Sequence, residues 1–330
     1  MKPSRATEVI KSMISSRWPV FLWGPPGCGK SSLVRAVAGQ LGLPVIDVRA
    51  SLLDPTDIRG IPMIEDKSAI WCPPSFLPKP GRRPGILFFD ELNAAPPLVQ
   101  ASLYQLTLDR RVGEYELPEG WSIVAAGNRA EDRSIVYRMP AALSNRFIHV
   151  DFDVDYDDWR AWAQQSDIDP LIIGFLAMRR ELLHSMKGSD RAFPTPRSWE
   201  MASAAIKVFG STDQCHDVLM GTIGEGAATE LKAYAAKAMT IKDVEAILAD
   251  PSRARLPDKI GDLYALVSFL ISSIENEQTQ HACGILLDRL PVELAILVIR
   301  DTVRANPALR KLPKFAEFIG RHAKSITPRA

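Results

Sequence analysis

The sequence predicts an α/β domain with a five-stranded parallel sheet between helices, followed by an all-helical region. Between residues 19 and 152, short apolar runs typical of buried strands alternate with helical or irregular segments, which indicates a parallel sheet. From Tyr156 onward the pattern changes to amphipathic helical stretches, and no strand is predicted. The chain has 330 residues and 46% hydrophobic content. It is therefore long enough for two hydrophobic cores.

The five predicted strands are apolar runs separated by segments of helical or irregular pattern. In chain order they are Pro19–Trp23, Leu43–Val48, Ile86–Phe89, Ser122–Ala126 and Phe147–Phe152. A helix is predicted over Ser31–Leu41, directly after the first strand. Residues 54–85 carry seven prolines. This composition excludes a long helix there and favours short extended pieces.

The first strand runs into the stretch "FLWGPPGCGKSS" at residues 21–32. Gly24, Gly29, Lys30 and Ser31 fit the pattern G-x-x-x-x-G-K-[ST]. In that pattern backbone N–H groups wrap phosphate oxygens, the lysine reaches the outer phosphates and the hydroxyl reaches Mg²⁺. The alternative is a glycine turn between strand and helix. The strand–loop–helix context favours a phosphate-binding loop, whose predicted members are Gly24, Pro25, Pro26, Gly27, Cys28, Gly29, Lys30, Ser31 and Ser32.

Polar side chains follow two later strands. Asp90 and Glu91 come directly after "ILFF", at the end of a strand that should neighbour the phosphate loop. An aspartate there can hold Mg²⁺ together with Ser31, and Glu91 can orient and deprotonate an attacking water. Asn128 follows the next strand and can contact a phosphate or position the water. The alternatives are an ordinary strand end for the acidic pair and a turn-forming asparagine at 128.

Composition limits the other possible functions. The net charge of +1 gives no global attraction to nucleic acid, and no apolar run approaches the roughly 20 residues of a membrane span. We expect a cytoplasmic protein. The four cysteines never form C-x-x-C, so they predict neither a disulfide framework nor a zinc site. Lys30 and a helix N-terminus should lower the pKa of the Cys28 thiol, although a small residue that fits the loop is preferred to a redox switch.

Five segments in order resemble the motifs of AAA+ ATPases. They are "GPPGCGKS", "ILFFDELN", "AAGNR", "LSNRF" and "FPTPRSWE", which resemble Walker A, Walker B, sensor 1, the arginine finger and sensor 2. The run "DELNAAPPLVQASLYQLTLDRRV" is similar to the MoxR-like branch. The resemblance covers residues 20–199. Asn145 departs from it, since an acidic residue commonly precedes the finger.

The resemblance implies an ATPase that uses ATP and Mg²⁺, with catalytic roles for Glu91, Asn128, Arg146 and Arg197 and with Ser31 and Asp90 at the metal. It also implies a homo-oligomeric ring, commonly a hexamer, with ATP at the subunit interfaces. Such a ring remodels a protein partner, often one with a von Willebrand factor A domain. Arg146 would reach the neighbouring subunit's nucleotide, and Arg197 would couple the helical lid to the phosphates.

Three regions are expected on this basis: a nucleotide-binding α/β domain at 1–153, a helical lid at 154–275 and a helical C-terminal extension at 276–330. The proline-rich segment falls where this branch carries an insert in helix 2. The stretch "RRVGEYELPEGW" falls where it carries a hairpin before sensor 1. Both segments would face the ring pore or the partner.

Two other classes of function stay open on the sequence. One is a nucleic-acid-directed AAA+ motor or a restriction-type NTPase subunit, which the near-neutral charge disfavours. The other is a small-molecule kinase, because such enzymes share the phosphate loop. The arginines at 146 and 197 favour a ring over a kinase.

Overall fold

The computed structural model describes residues 1–66, 68–132, 136–186, 191–236 and 241–326. The chain divides into two compact units, Met1–Asp155 and Tyr156–Ala330. None of the helices in the described part of the chain has the length and apolarity needed to cross a membrane.

The first unit contains a five-stranded sheet in which each neighbouring pair of strands is parallel. Two short antiparallel hairpins accompany it. The strands of the unit are β1 (Val20–Trp23), β2 (Val45–Arg49), β3 (Ile61–Glu65), β4 (Ser68–Cys72), β5 (Ile86–Asp90), β6 (Arg111–Val112), β7 (Tyr115–Glu116), β8 (Ser122–Gly127) and β9 (Ile148–Asp151). The order across the large sheet is β2-β5-β8-β1-β9. The predicted α/β fold class is confirmed, and each of the five predicted strands lies in this sheet.

Helices cover both faces of the sheet, as its alternating side chains require. They are α1 (Pro3–Ser15), α2 (Lys30–Leu41), α3 (Pro55–Arg59), α4 (Pro97–Asp109) and α5 (Ala141–Ser144). On one face, Val20 and Leu22 of β1 pack in a core with residues of α1 and α2. On the other face, Phe21 packs in a core that includes α4. Both faces of a central parallel strand are therefore buried, which explains its continuous apolar sequence.

The proline-rich segment forms short elements. Asp54 and Asp57 make a capping box at the start of the five-residue helix α3. β3 and β4 then pair as an antiparallel hairpin. Lys67 lies outside the described residues. The stretch predicted to carry the hairpin before sensor 1 contains the antiparallel pair β6 and β7.

In its described residues the second unit contains helices and connecting segments, and no strand. Its helices are α6 (Tyr156–Gln165), α7 (Pro170–Met178), α8 (Pro196–Phe209), α9 (His216–Ile223), α10 (Glu225–Ala235), α11 (Ile241–Ala249), α12 (Ile260–Ser272), α13 (Glu277–Leu286), α14 (Val292–Ala305) and α15 (Pro313–Ile326). One hydrophobic core includes residues of α11 and α12 together with residues of α13, α14 and α15. Residues on both sides of position 275 therefore pack together.

A buried ion pair links the two ends of the second unit. Nη2 of Arg160 on α6 lies 3.3 Å from Oδ2 of Asp301 on α14, and the two side chains are only 3% and 7% exposed. The contact lacks hydrogen-bond geometry. Asp301 also receives a contact from Nε of Arg300 at 3.2 Å. Each of the two buried charges depends on the other, because neither can be hydrated.

Asp301→Ala should therefore lower the free energy of unfolding by ~3–5 kcal/mol, since it leaves the Arg160 guanidinium buried without its carboxylate. Urea denaturation of the full chain measures this change. Asp258→Ala is the matched control: Asp258 pairs with Arg255 in the same unit, but both side chains are more than four-fifths exposed. That control should cost only ~0–1 kcal/mol. Equal destabilisation by the two variants would contradict a structural role for the buried pair.

Candidate functional site

The loop between β1 and α2 has a backbone that only glycine adopts easily. Gly27 and Gly29 have φ angles of 74° and 101°, in the left-handed region that side chains disfavour. A Cβ at Gly24 would lie 2.8 Å from the carbonyl oxygen of Phe152. The loop ends at Gly29, which precedes the first turn of α2. Unpaired N–H groups at such a helix start favour anions.

The Lys30 ammonium is buried, with only 8% of the residue exposed. It donates to the carbonyl oxygens of Gly24 at 2.6 Å and Pro25 at 3.0 Å. It also donates to Oδ1 of Asn128 at 2.8 Å. The three oxygens match the three N–H donors of the group. The loop lysine and the amide at the end of β8 therefore lie in direct contact.

Ser31 and Asp90 form the second contact between the loop and the sheet edge. Oγ of Ser31 donates to Oδ2 of Asp90 at 2.6 Å, and Asp90 is 6% exposed. One hydroxyl and one carboxylate suit Mg²⁺, which usually takes one or two protein oxygens and completes its shell with water and phosphate. Within the described residues, no group of three or more His, Cys, Asp and Glu side chains could hold a metal. The residues present fit a magnesium ion shared with a substrate.

Glu91 has a φ of 56°, in the left-handed region that non-glycine residues seldom occupy. Its carboxylate is 41% exposed and accepts from Nη1 of Arg49 at 3.2 Å. It also accepts from Oγ of Ser51 at 2.6 Å. A carboxylate offers about four lone-pair sites. Glu91 can therefore still accept a hydrogen bond from a water molecule.

Burial dominates the environment of Cys28. The residue is 7% exposed, and desolvation raises the pKa of its thiol. The nearby Lys30 charge lowers the pKa but does not outweigh burial. The expectation of a lowered pKa was wrong, because the side chain packs in the core against α1 and α2. The preferred interpretation of a small residue that fits the loop agrees with this position.

The strand of Asp90 and Glu91 is not adjacent to the strand of the phosphate loop. β8 lies between β5 and β1 and pairs with both. The contact of Asp90 with the loop is made by Ser31 instead. Asn128, at the end of the intervening β8, lies between the two groups in the sheet order.

Comparison with known proteins identifies this arrangement. Residues 19–147 match the family model of the AAA domain of the dynein-related subfamily. MoxR of Paracoccus denitrificans is 33% identical over 150 residues, 44% of each chain. NorQ of the same species is 29% identical over 153 residues, 44% of this chain and 56% of NorQ. The chain carries a MoxR-like AAA+ domain. It spans about half the length of these two relatives.

A third relative matches a longer part of the chain. The denitrification regulatory protein NirQ of Stutzerimonas stutzeri is 25% identical over 201 residues, which are 58% of this chain and 70% of NirQ.

Arg146 lies just after α5 in the AAA+ domain. Its guanidinium lies 5.5 Å from the ring centroid of Tyr104 and donates to the carbonyl oxygen of Ala142. Among the described residues, its Nε has no hydrogen-bond partner and no carboxylate lies within salt-bridge distance.

Arg197 belongs to the second unit and is exposed in the first turn of α8. Thr195 and Ser198 cap that turn reciprocally, at 3.0 Å and 2.7 Å. The proposed contact of Arg197 with a phosphate stays a prediction.

Several residues that contact the AAA+ site were not predicted from the sequence. Arg49 and Ser51 contact Glu91, as described above. Asn93 appears in the quoted run "DELN", but the sequence assigns it no contact. Arg129 contacts Asp151 at 3.2 Å and Asp153 at 2.8 Å. Its hydrogen bond lowers the pKa of the Asp153 carboxyl. Polar residues just after a predicted strand are the one signal that would have selected Arg129.

Proposed function

We propose that the chain hydrolyses ATP and assembles into a homo-oligomeric ring of six subunits. The ring remodels or activates a protein partner. The observation that carries the proposal is the meeting of the phosphate loop with the sheet edge. The loop's lysine contacts Asn128, and the loop's hydroxyl contacts Asp90. Phosphoryl transfer needs a cation that contacts the phosphates and a carboxylate that can hold Mg²⁺, and Lys30 of the phosphate loop and Asp90 supply them at adjoining positions.

In this proposal the loop backbone and Lys30 bind the β- and γ-phosphates of ATP. Ser31 and Asp90 hold Mg²⁺, which neutralises charge on the phosphates when it is bound. The loop N–H groups come from Gly27, Cys28 and Gly29, because Pro25 and Pro26 carry none. The left-handed φ angles of Gly27 and Gly29 support a concave loop. Pro25, Pro26, Cys28 and Ser32 complete the binding segment.

Glu91 is the general base in this proposal. It accepts the proton of the water that attacks the γ-phosphate, and its exposed carboxylate supports the assignment. Asn128 orients that water or the γ-phosphate through its side-chain amide. The left-handed backbone at Glu91 supports a functional role, since strained conformations cluster at active sites.

The ring is supported by the surroundings of Arg146. Arg146 is half-buried, and the described residues offer its guanidinium only a carbonyl oxygen and an aromatic ring rather than a carboxylate. In a ring the guanidinium would reach the γ-phosphate of the neighbouring subunit, where an arginine supplied in trans can raise the rate by about 10³–10⁵. Arg197 would transmit the state of the nucleotide to the helical unit.

The partner in this proposal is a protein. The resemblance to the MoxR-like branch implies one with a von Willebrand factor A domain. Two exposed features of the AAA+ domain support a protein contact. The first is the β3–β4 hairpin, where Ile61 and Ile64 are 70% and 85% exposed. The second is the β6–β7 hairpin. The exposed apolar side chains of the β3–β4 hairpin favour contact with a partner.

Glu91→Gln keeps the shape of the side chain but removes the base. We expect the variant to bind ATP and to turn over more slowly by about 10²–10⁴, the range of general-base catalysis. Steady-state phosphate release and equilibrium ATP binding measure the two effects separately. Glu8→Gln, on the exposed face of α1, is the matched control and should turn over at the wild-type rate. Unchanged turnover in Glu91→Gln would remove this residue from the mechanism.

Mixing variants tests the ring and the trans role of Arg146. Arg146→Ala alone should bind ATP and show little activity, and Lys30→Ala alone should be inactive. Mixed rings should regain activity, because some interfaces then join an intact nucleotide pocket to an intact arginine. Rescue cannot occur if Arg146 acts on the nucleotide of its own chain.

The control mixture combines Glu91→Gln with Lys30→Ala. It should stay inactive, because none of its interfaces contains a pocket with both Lys30 and Glu91. Sizing and subunit exchange verify that mixed rings form before activity is read. Full activity of Arg146→Ala alone, or absence of rescue in verified mixed rings, would contradict the trans assignment.

A further inference from the structure

Asn93 lies three residues after Asp90 and is almost completely buried, with 3% exposure. Its Nδ2 donates to the carbonyl oxygen of Asn128 at 2.7 Å. Its Oδ1 accepts from the backbone N–H of Asn128 at 3.3 Å. Both halves of one side-chain amide therefore bind both backbone groups of a single residue.

This pairing continues the sheet where the strands have ended. β5 and β8 pair in register from Ile86 opposite Ser122 to Phe89 opposite Ala125. Beyond Asp90 the chain turns away into a 3₁₀ turn at Leu92–Ala94. The backbone of Asn128 would then lack a partner on that side. The Asn93 amide supplies one, since its N–H and C=O groups imitate those of a peptide unit.

Gly127 makes the close approach possible. A Cβ at this position would lie 2.2 Å from Oδ1 of Asn93 and 2.8 Å from its Cγ. Any larger residue would therefore displace the amide. The backbone carbonyl oxygen of Asn93 also accepts a hydrogen bond from the backbone N–H of Tyr137 at 2.7 Å. Asn93 thus joins the turn after β5, the end of β8 and the segment that precedes α5.

We propose that Asn93 is a positioning residue that holds the Asn128 amide in its working orientation. With both backbone groups of Asn128 held, its side chain projects to the Lys30 ammonium at 2.8 Å. Asn93 acts on the reaction only through Asn128 and touches no substrate. This inference rests on the proposed function, because it assigns Asn93 a role through the residue proposed to orient the water or phosphate.

A purely structural role predicts a different pattern of effects. A buried asparagine that only satisfies backbone groups would change stability when replaced, and any loss of turnover would follow the loss of folded protein. A positioning residue changes the rate of the folded enzyme instead. Its effect should also disappear once Asn128 itself has been removed, because the two residues then act as one unit.

The test compares Asn93→Ala, Asn128→Ala and the double variant in the full chain, with ATP as the substrate. We expect Asn93→Ala to leave ATP affinity unchanged and to lower kcat by about 10–100-fold, as is typical of residues that orient a group at a site. The double variant should be no slower than Asn128→Ala alone. Hydrogen exchange at the Asn128 amide should be faster in Asn93→Ala, which tests the pairing without reference to activity.

Asn276→Ala is the matched control. Asn276 caps α13 by accepting from the N–H of Gln278 at 2.8 Å, and it lies in the other unit. This change removes a hydrogen bond from a backbone N–H to an asparagine side chain, here at an exposed position, and should leave kcat unchanged. It therefore separates loss of stability from loss of positioning.

Wild-type kcat in folded Asn93→Ala would overturn the inference. A double variant whose kcat lies below that of Asn128→Ala by the full factor measured for Asn93→Ala would overturn it as well. Wild-type kcat in Asn128→Ala would instead remove Asn128 from the proposed function. Unaltered exchange at the Asn128 amide in Asn93→Ala would contradict the pairing itself.

Discussion

The site depends on one buried ammonium group. Lys30 lies in the first turn of α2 and is hydrogen-bonded to two carbonyl oxygens of its own loop and to Asn128 at the end of β8. A buried charge must be matched by acceptors, because its loss of hydration is otherwise costly. The conformation of the loop and the end of β8 are therefore linked through this lysine. A phosphate would offer it charged oxygens, with stronger bonds than the neutral ones.

The strand order explains why these groups meet. β8 lies between the strand of the phosphate loop and the strand of Asp90 and Glu91. Its last residues therefore lie at the centre of the carboxyl edge, where ligands bind in open α/β sheets. Ser31 then contacts Asp90 from the helix side. Asn93 returns from the turn after β5 to hold the backbone of Asn128. The edge is thus a connected set of hydrogen bonds between three segments.

Much of this organisation is predictable from sequence. Five apolar runs give the strands, because a strand buried on both faces must be apolar throughout. The spacing of Gly24, Gly29, Lys30 and Ser31 gives the loop, since few other backbones need that combination. The strand order is not predictable in the same way, because it depends on pairing between distant segments. Arg49, Ser51 and Asn93 were missed for a related reason: their contacts arise only after the strands have assembled.

Binding of ATP to Lys30→Ala tests the central claim most directly. In the presence of Mg²⁺ the wild-type chain should bind ATP, and the variant should bind it weaker by at least about 10-fold, or ~1.4 kcal/mol. Lys30→Met, which keeps the aliphatic stem, should lose affinity equally. Arg35→Ala is the control on the same helix, because Arg35 pairs with Asp47 at the surface. Wild-type affinity in a folded Lys30→Ala chain would contradict the account.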